Sequence, residues 1–241
     1  MVMLATFCAA AWVYVAYLAW GMENMDVGAE MLLMPAMVGW RAVDLLLVLL
    51  MWTLMMAAMM LPSALPMLRT FAALGHRTPS HSRSNTMVFA AGYLAVWGGF
   101  SVLATLGQWG LLEARLVSPM MKASSQWLGA ALLLSAGVYQ LTPWKATCLT
   151  RCRSPLAFLM TEWRPGWRGA LRMGWRHGLY CVGCCWALML LLFVIGVMNL
   201  AWIAALSVLV LLEKRLPSQR WLLRMSAAVF SVWGLFLLLG V

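Results

Sequence analysis

Two tight groups of cysteine stand out in the sequence. Cys148-Leu-Thr-Arg-Cys152 sets thiols four residues apart, and Cys181-Val-Gly-Cys184-Cys185 sets them three and four apart. Residues at those spacings share one face of a helix. Thiolates are soft ligands, and two groups from two segments can build a soft-metal site. Two or three thiolates suit copper(I), and a four-cysteine tetrahedron suits zinc. A C-x-x-C spacing also serves thiol–disulfide exchange. Cysteine is in addition a small apolar residue of membrane helices, and that account suffices for Cys8.

The second soft donor is methionine, of which there are 21. Met51, Met55 and Met59 recur every four residues and form one helical stripe; Met56 and Met60 form the adjoining one. Pro62 and Pro66 follow, each removing a backbone donor and freeing the carbonyls of Ala58 and Pro62. A methionine-lined helix with freed carbonyls can pass or hold a soft metal, which makes Met55 and Met59 candidate ligands. The same residues also serve as adaptable apolar filler. Of the histidines, His76 and His81 sit in a Ser/Arg-rich loop and read as solvated. His177, four residues before Cys181, is a reserve ligand and otherwise an interfacial residue.

The elements that must position these groups follow from composition. The chain has 241 residues, 64% hydrophobic and 10% charged, with a mean hydropathy of +0.87. A soluble domain carries about 25% charged residues, so a water-soluble globule, a disordered chain and a disulfide-stapled secreted module are excluded. Apolar stretches at 2–20, 42–68, 86–108, 125–142, 177–197, 199–212 and 222–241 predict an all-α polytopic transmembrane bundle. It would have about seven spans and form a single integral membrane domain over 1–241. No basic region precedes the first stretch, so no cleavable signal peptide is expected.

Three alternate loops hold 14 of the 17 basic residues: Arg69, Arg77 and Arg83; Lys145, Arg151, Arg153, Arg164, Arg168, Arg172 and Arg176; and Lys214, Arg215, Arg220 and Arg224. The positive-inside rule then places the N-terminus in the cytoplasm and the C-terminus outside. The expected setting is a multi-pass protein of the bacterial inner (cytoplasmic) membrane. In this frame every cysteine lies on the reducing, cytoplasmic side. Met22, Met25, Met31, Met34, Met37, Met120, Met121 and Met198 fall in outer loops or turns, where a thioether survives oxidation. Methionine outside and cysteine inside is the sorting that copper(I) handling needs.

The net charge of +10 reads as attraction to lipid headgroups, not as nucleic-acid binding. Within the inner loop 143–176, Trp144, Trp163, Trp167 and Trp175 alternate with arginines, and the apolar stretch 156–163 is too short to span. This pattern fits an interfacial segment. No charged residue lies near mid-span, which argues against proton pumps, voltage sensors and ion-coupled carriers. Thr53, Gln108, Ser135, Gln140 and Asn199 are the polar mid-span residues, expected to hydrogen-bond between helices. No phosphate loop, nucleophile elbow or H-E-x-x-H motif is present, so a non-catalytic role is favoured.

Several motifs together resemble a bacterial family of unknown function described as predicted metal-binding integral membrane proteins. They are Trp52-Thr-Leu-Met-Met-Ala-Ala-Met-Met-Leu-Pro62 with Pro66; Tyr139-Gln-Leu-Thr-Pro143-Trp-Lys145 leading to Cys148-Leu-Thr-Arg-Cys152-Arg-Ser-Pro155; Gly178-Leu-Tyr-Cys181-Val-Gly-Cys184-Cys185-Trp186-Ala-Leu-Met189; and Gly196-Val-Met198-Asn199, followed by Glu213-Lys214. The resemblance implies metal binding but names neither metal nor activity.

The expectation is a soft-metal-binding membrane protein, with copper as the metal and zinc as the alternative. The expected ligands are Cys148, Cys152, Cys181, Cys184, Cys185, Met55 and Met59. Its work would be metal handling or delivery, or service as an accessory subunit of a membrane metalloenzyme, in contact with the bilayer and with membrane-protein partner subunits. The alternatives are a thiol–disulfide membrane oxidoreductase and a purely structural membrane subunit.

Overall fold

The structure, a computed structural model, describes residues 2–23, 42–75, 83–117, 125–216 and 219–240. Among these, every regular element is a helix: α1 Val2–Glu23, α2 Ala42–Gly75, α3 Arg83–Glu113, α4 Gln126–Gln140, α5 Pro143–Arg153, α6 Pro155–Glu162, α7 Gly166–Leu190, α8 Leu192–Ile195, α9 Leu200–Arg215 and α10 Gln219–Leu239. Met25, Met31, Met34, Met37, Met120, Met121, His76 and His81 lie outside the described residues.

Five segments are long and apolar enough to cross a membrane: Met3–Gly21, Ala42–Gly75, Ser84–Glu113, Gly166–Ile195 and Arg220–Leu239. The other two expected spans are shorter. With 15 and 16 residues, α4 and α9 reach about 22 and 24 Å at 1.5 Å per residue. A hydrocarbon core is about 30 Å thick.

The region 143–176 is not a loop. Thr142 caps α5 by accepting a hydrogen bond from the Lys145 amide (3.3 Å), with Pro143 in the first turn. Ser154 and Pro155 break the chain between α5 and α6, and α7 begins at Gly166, eleven residues before the expected start at 177. Trp144, Trp167 and Trp175 are exposed, as an interfacial set requires. Phe158 and Leu159 of α6 are buried instead, each at 1% exposure.

The freed carbonyl in α2 has takers. Ala58 O, left without a helical donor by Pro62, accepts from Trp12 Nε1 at 3.0 Å and lies 3.7 Å from Cys8 Sγ. This joins α1 to α2.

The mid-span polar residues divide. Gln108 Oε1 accepts from Trp52 Nε1 at 2.7 Å, and Gln140 bridges to α9 and α10. Thr53 and Ser135 instead bond carbonyls of their own helices, and Asn199 caps α9. A hydroxyl can be satisfied by the preceding turn, whereas the longer amide side chain reaches a neighbouring helix.

Helices α3 and α7 pack along each other, as do α4 and α10, while α2 meets α1, α3 and α9. The α3–α7 contact depends on glycine. A Cβ on Gly174 would sit 2.0 Å from the Phe89 carbonyl oxygen, and one on Gly92 would sit 2.4 Å from that of Leu171. Small residues of this kind let helix backbones approach in a membrane.

Candidate metal centre

Helix α7 carries Cys181, Cys184 and Cys185 well within its length, all at 0–1% exposure. They therefore do not lie in its first turns, and the α7 N-terminus is about four turns away. Two arginines near the cysteines in sequence are engaged elsewhere. Arg153 donates to the Leu216 carbonyl at 3.0 Å, and Arg176 pairs with Glu162 at 3.0 Å. The cation at the cluster is Lys214, from the last turn of α9. Its Nζ donates to Cys181 Sγ at 3.0 Å and to Ser63 Oγ at 2.8 Å.

The close α3–α7 approach sets Tyr93 over the same sulfur. The Tyr93 hydroxyl is 3.1 Å from Cys181 Sγ and 3.1 Å from the Met60 carbonyl oxygen. Cys184 and Cys185 donate to the Cys181 carbonyl at 3.1 and 2.9 Å, the usual back-bond of a small polar side chain in a helix. Cys185 Sγ lies 3.9 Å from Met60 Sδ. Cys185 thus faces the protein interior, not lipid.

Helix α5 closes the cluster from another side. Cys152, 6% exposed, is within hydrogen-bonding reach of the Cys181 and Cys184 thiols. Those hydrogen bonds, then burial, push the Cys152 thiol well above the ordinary thiol range, against the pull of Lys214. Cys148, one turn earlier, is half-buried and seated on α7: its Sγ lies 2.8 Å from where a Cβ would be on Gly183. Burial raises its thiol too. All six cysteines are free.

The two cysteine groups meet, with Cys148 at their edge. Met55 and Met59 are fully buried in α2, but the thioether that reaches a cysteine is that of Met60. One position on from Met59, it lies on the adjoining stripe, about 100° round the helix. His177 is not interfacial. It is 1% exposed, with its ring stacked on Tyr93 at 5.6 Å and edge-on to Phe158 at 5.6 Å, and Nδ1 has no hydrogen-bond partner among the described residues.

Among the described residues, no three His, Cys, Asp or Glu side chains are disposed about a point that could hold a metal ion. The sulfurs are near one another but engaged in hydrogen bonds.

Beside the cluster lies a buried ion pair. Lys145 Nζ donates to Glu213 Oε2 at 2.7 Å, with the two side chains 0% and 2% exposed. Gln140 Nε2 donates to Glu213 Oε1 and to Ser226 Oγ, each at 2.8 Å. The network ties α4, α5, α9 and α10 together. Motif and spacing did not assign roles to Lys214, Tyr93 or Met60. The available signal was a lysine and a glutamate at the end of an apolar stretch, where no loop was needed to hold them.

A family model described as PpoB2, copper chaperone, matches residues 49–237. The match covers every residue of the cluster from Met60 to Lys214. Comparison with curated proteins and with solved structures gives no match.

Proposed function

The chain belongs to the PpoB2 copper chaperone family, and from that premise we propose that its cargo is copper(I), held by the buried sulfur cluster. The observation that carries the reading is the meeting of Cys152 from α5 with Cys181 and Cys184 from α7, beside the Met60 thioether of α2. Copper(I) takes two or three soft ligands. Burial shields it from water and oxidant. The half-exposed Cys148 supplies the step at the edge, where a ligand from an acceptor exchanges with a ligand of the donor.

The delivery role extends the reading. Copper passes to a membrane metalloenzyme or across the membrane, or the chain serves as a subunit beside such an enzyme. Anaerobic copper(I) titration of the purified chain is the test, with one ion bound per chain expected. Leucine at Met60 should weaken binding about tenfold while preserving the fold, since this swap costs under about 1.5 kcal/mol in a core. Met55 and Met59 are proposed as the approach to the site. Leucine at both should slow uptake, and an unchanged rate would reduce them to packing.

The setting is proposed as the inner membrane of a bacterium, crossed several times, with 69–85 and 143–176 cytoplasmic. The basic residues concentrate there, and a reducing compartment keeps the thiols free. Single cysteines introduced at Arg77 or Arg164 should resist an impermeant thiol reagent added to intact cells. Efficient labelling from outside would reverse the orientation.

A further inference from the structure

We infer that Lys214 is the built-in counter-ion of the site, and that it sets copper(I) between two thiolates, Cys181 and Cys152. The inference rests on the copper(I) reading and gives that site its number of thiolates. Lys214 Nζ donates to Cys181 Sγ at 3.0 Å and is fixed from behind by Ser63 Oγ at 2.8 Å. The carboxylate next to it in sequence is not free to neutralise it: Glu213 receives Lys145 at 2.7 Å and Gln140 at 2.8 Å. The ammonium charge is thus directed at sulfur.

Burial makes the charge count decisive. An uncompensated charge away from water is costly, while a paired one is tolerated. One copper(I) and two thiolates leave a single negative charge, which one ammonium cancels. A third thiolate would leave a negative charge unpaired. Four thiolates around zinc would do the same after the lysine is counted. Cys152 loses a proton when it ligates, as every thiol ligand must, and no electron moves. A ligated sulfur keeps lone pairs, so the Lys214 hydrogen bond to Cys181 persists beside the metal. Cys184 and Cys185 remain on the Cys181 carbonyl.

The test is copper(I) affinity of the full chain in detergent, by competition with a chromophoric copper(I) chelator. Lys214→Met should weaken binding about tenfold or more, and Lys214→Arg, which keeps the charge, should recover most of the loss. Wild-type affinity in Lys214→Met overturns the inference, and so does an arginine variant as weak as the methionine one. If the methionine variant does not fold, X-ray absorption of the copper-loaded Met60→Leu variant, which has no thioether at the cluster, decides. Two sulfurs per copper are expected there, and three or four would overturn the counter-ion role. A wild type that binds no copper(I) would instead remove the function proposed above.

Discussion

Methionine in place of Lys145 is expected to destabilise the fold by about 3–5 kcal/mol, the cost of leaving one partner of a buried ion pair alone. Lys145 and Glu213 are 0% and 2% exposed and 2.7 Å apart. Without the lysine, the Glu213 carboxylate keeps the Gln140 amide as its one hydrogen-bond partner among the described residues. At about 2–4 °C per kcal/mol for a chain of this size, the melting temperature should fall by roughly 10 °C. Removing both charges, as Lys145→Met with Glu213→Leu, should restore most of the stability, because an apolar pair of similar volume replaces an ion pair at little net cost. A single variant that melts within about 2 °C of wild type would show that the pair does not hold α5 in place. The consequence reaches the cluster: Lys145, Cys148 and Cys152 lie on one helix, so loosening α5 takes two thiols from the site.

The second large effect is expected at Gly174. An alanine Cβ there would sit 2.0 Å from the Phe89 carbonyl oxygen, which is backbone and cannot rotate away. Helices α3 and α7 must part, at the upper end of the roughly 1–3 kcal/mol range for overpacking. The separation also draws Tyr93 from Cys181. Gly98, on α3, has no atom of another described element within 4 Å of the place an alanine methyl would occupy. Alanine there should be neutral or stabilise by about 0.5–1 kcal/mol, because glycine is a poor helix former. Thermal melting of the two variants side by side checks the contrast, and equal melting temperatures would contradict it.

The long apolar helices were legible because a bilayer demands about 20 apolar residues and the sequence supplies them in blocks. The cysteine groups were legible because helical spacing alone puts Cys181, Cys184 and Cys185 near one another. Lys214 was not. Counted with the loop charges, it served as a topology marker, and only the folded chain turns it from the membrane surface onto Cys181. His177 reads as interfacial from its position after a run of arginines, yet α7 starts so early that it falls inside the bundle among Phe89, Tyr93 and Phe158. Met60 and Met59 are indistinguishable by composition. Which stripe of α2 faces α7 depends on packing across helices, and no local spacing encodes that.

The most direct measurement is anaerobic copper(I) titration of the purified full-length chain beside its Cys152→Ser, Cys181→Ser double variant. Serine keeps the size of the side chain but replaces a soft donor with a hard one. The wild type is expected to bind one copper(I) tightly, and the double variant, still folded by its melting curve, to lose at least a hundredfold in affinity. A double variant that binds copper(I) as the wild type does would place the metal elsewhere and contradict the account.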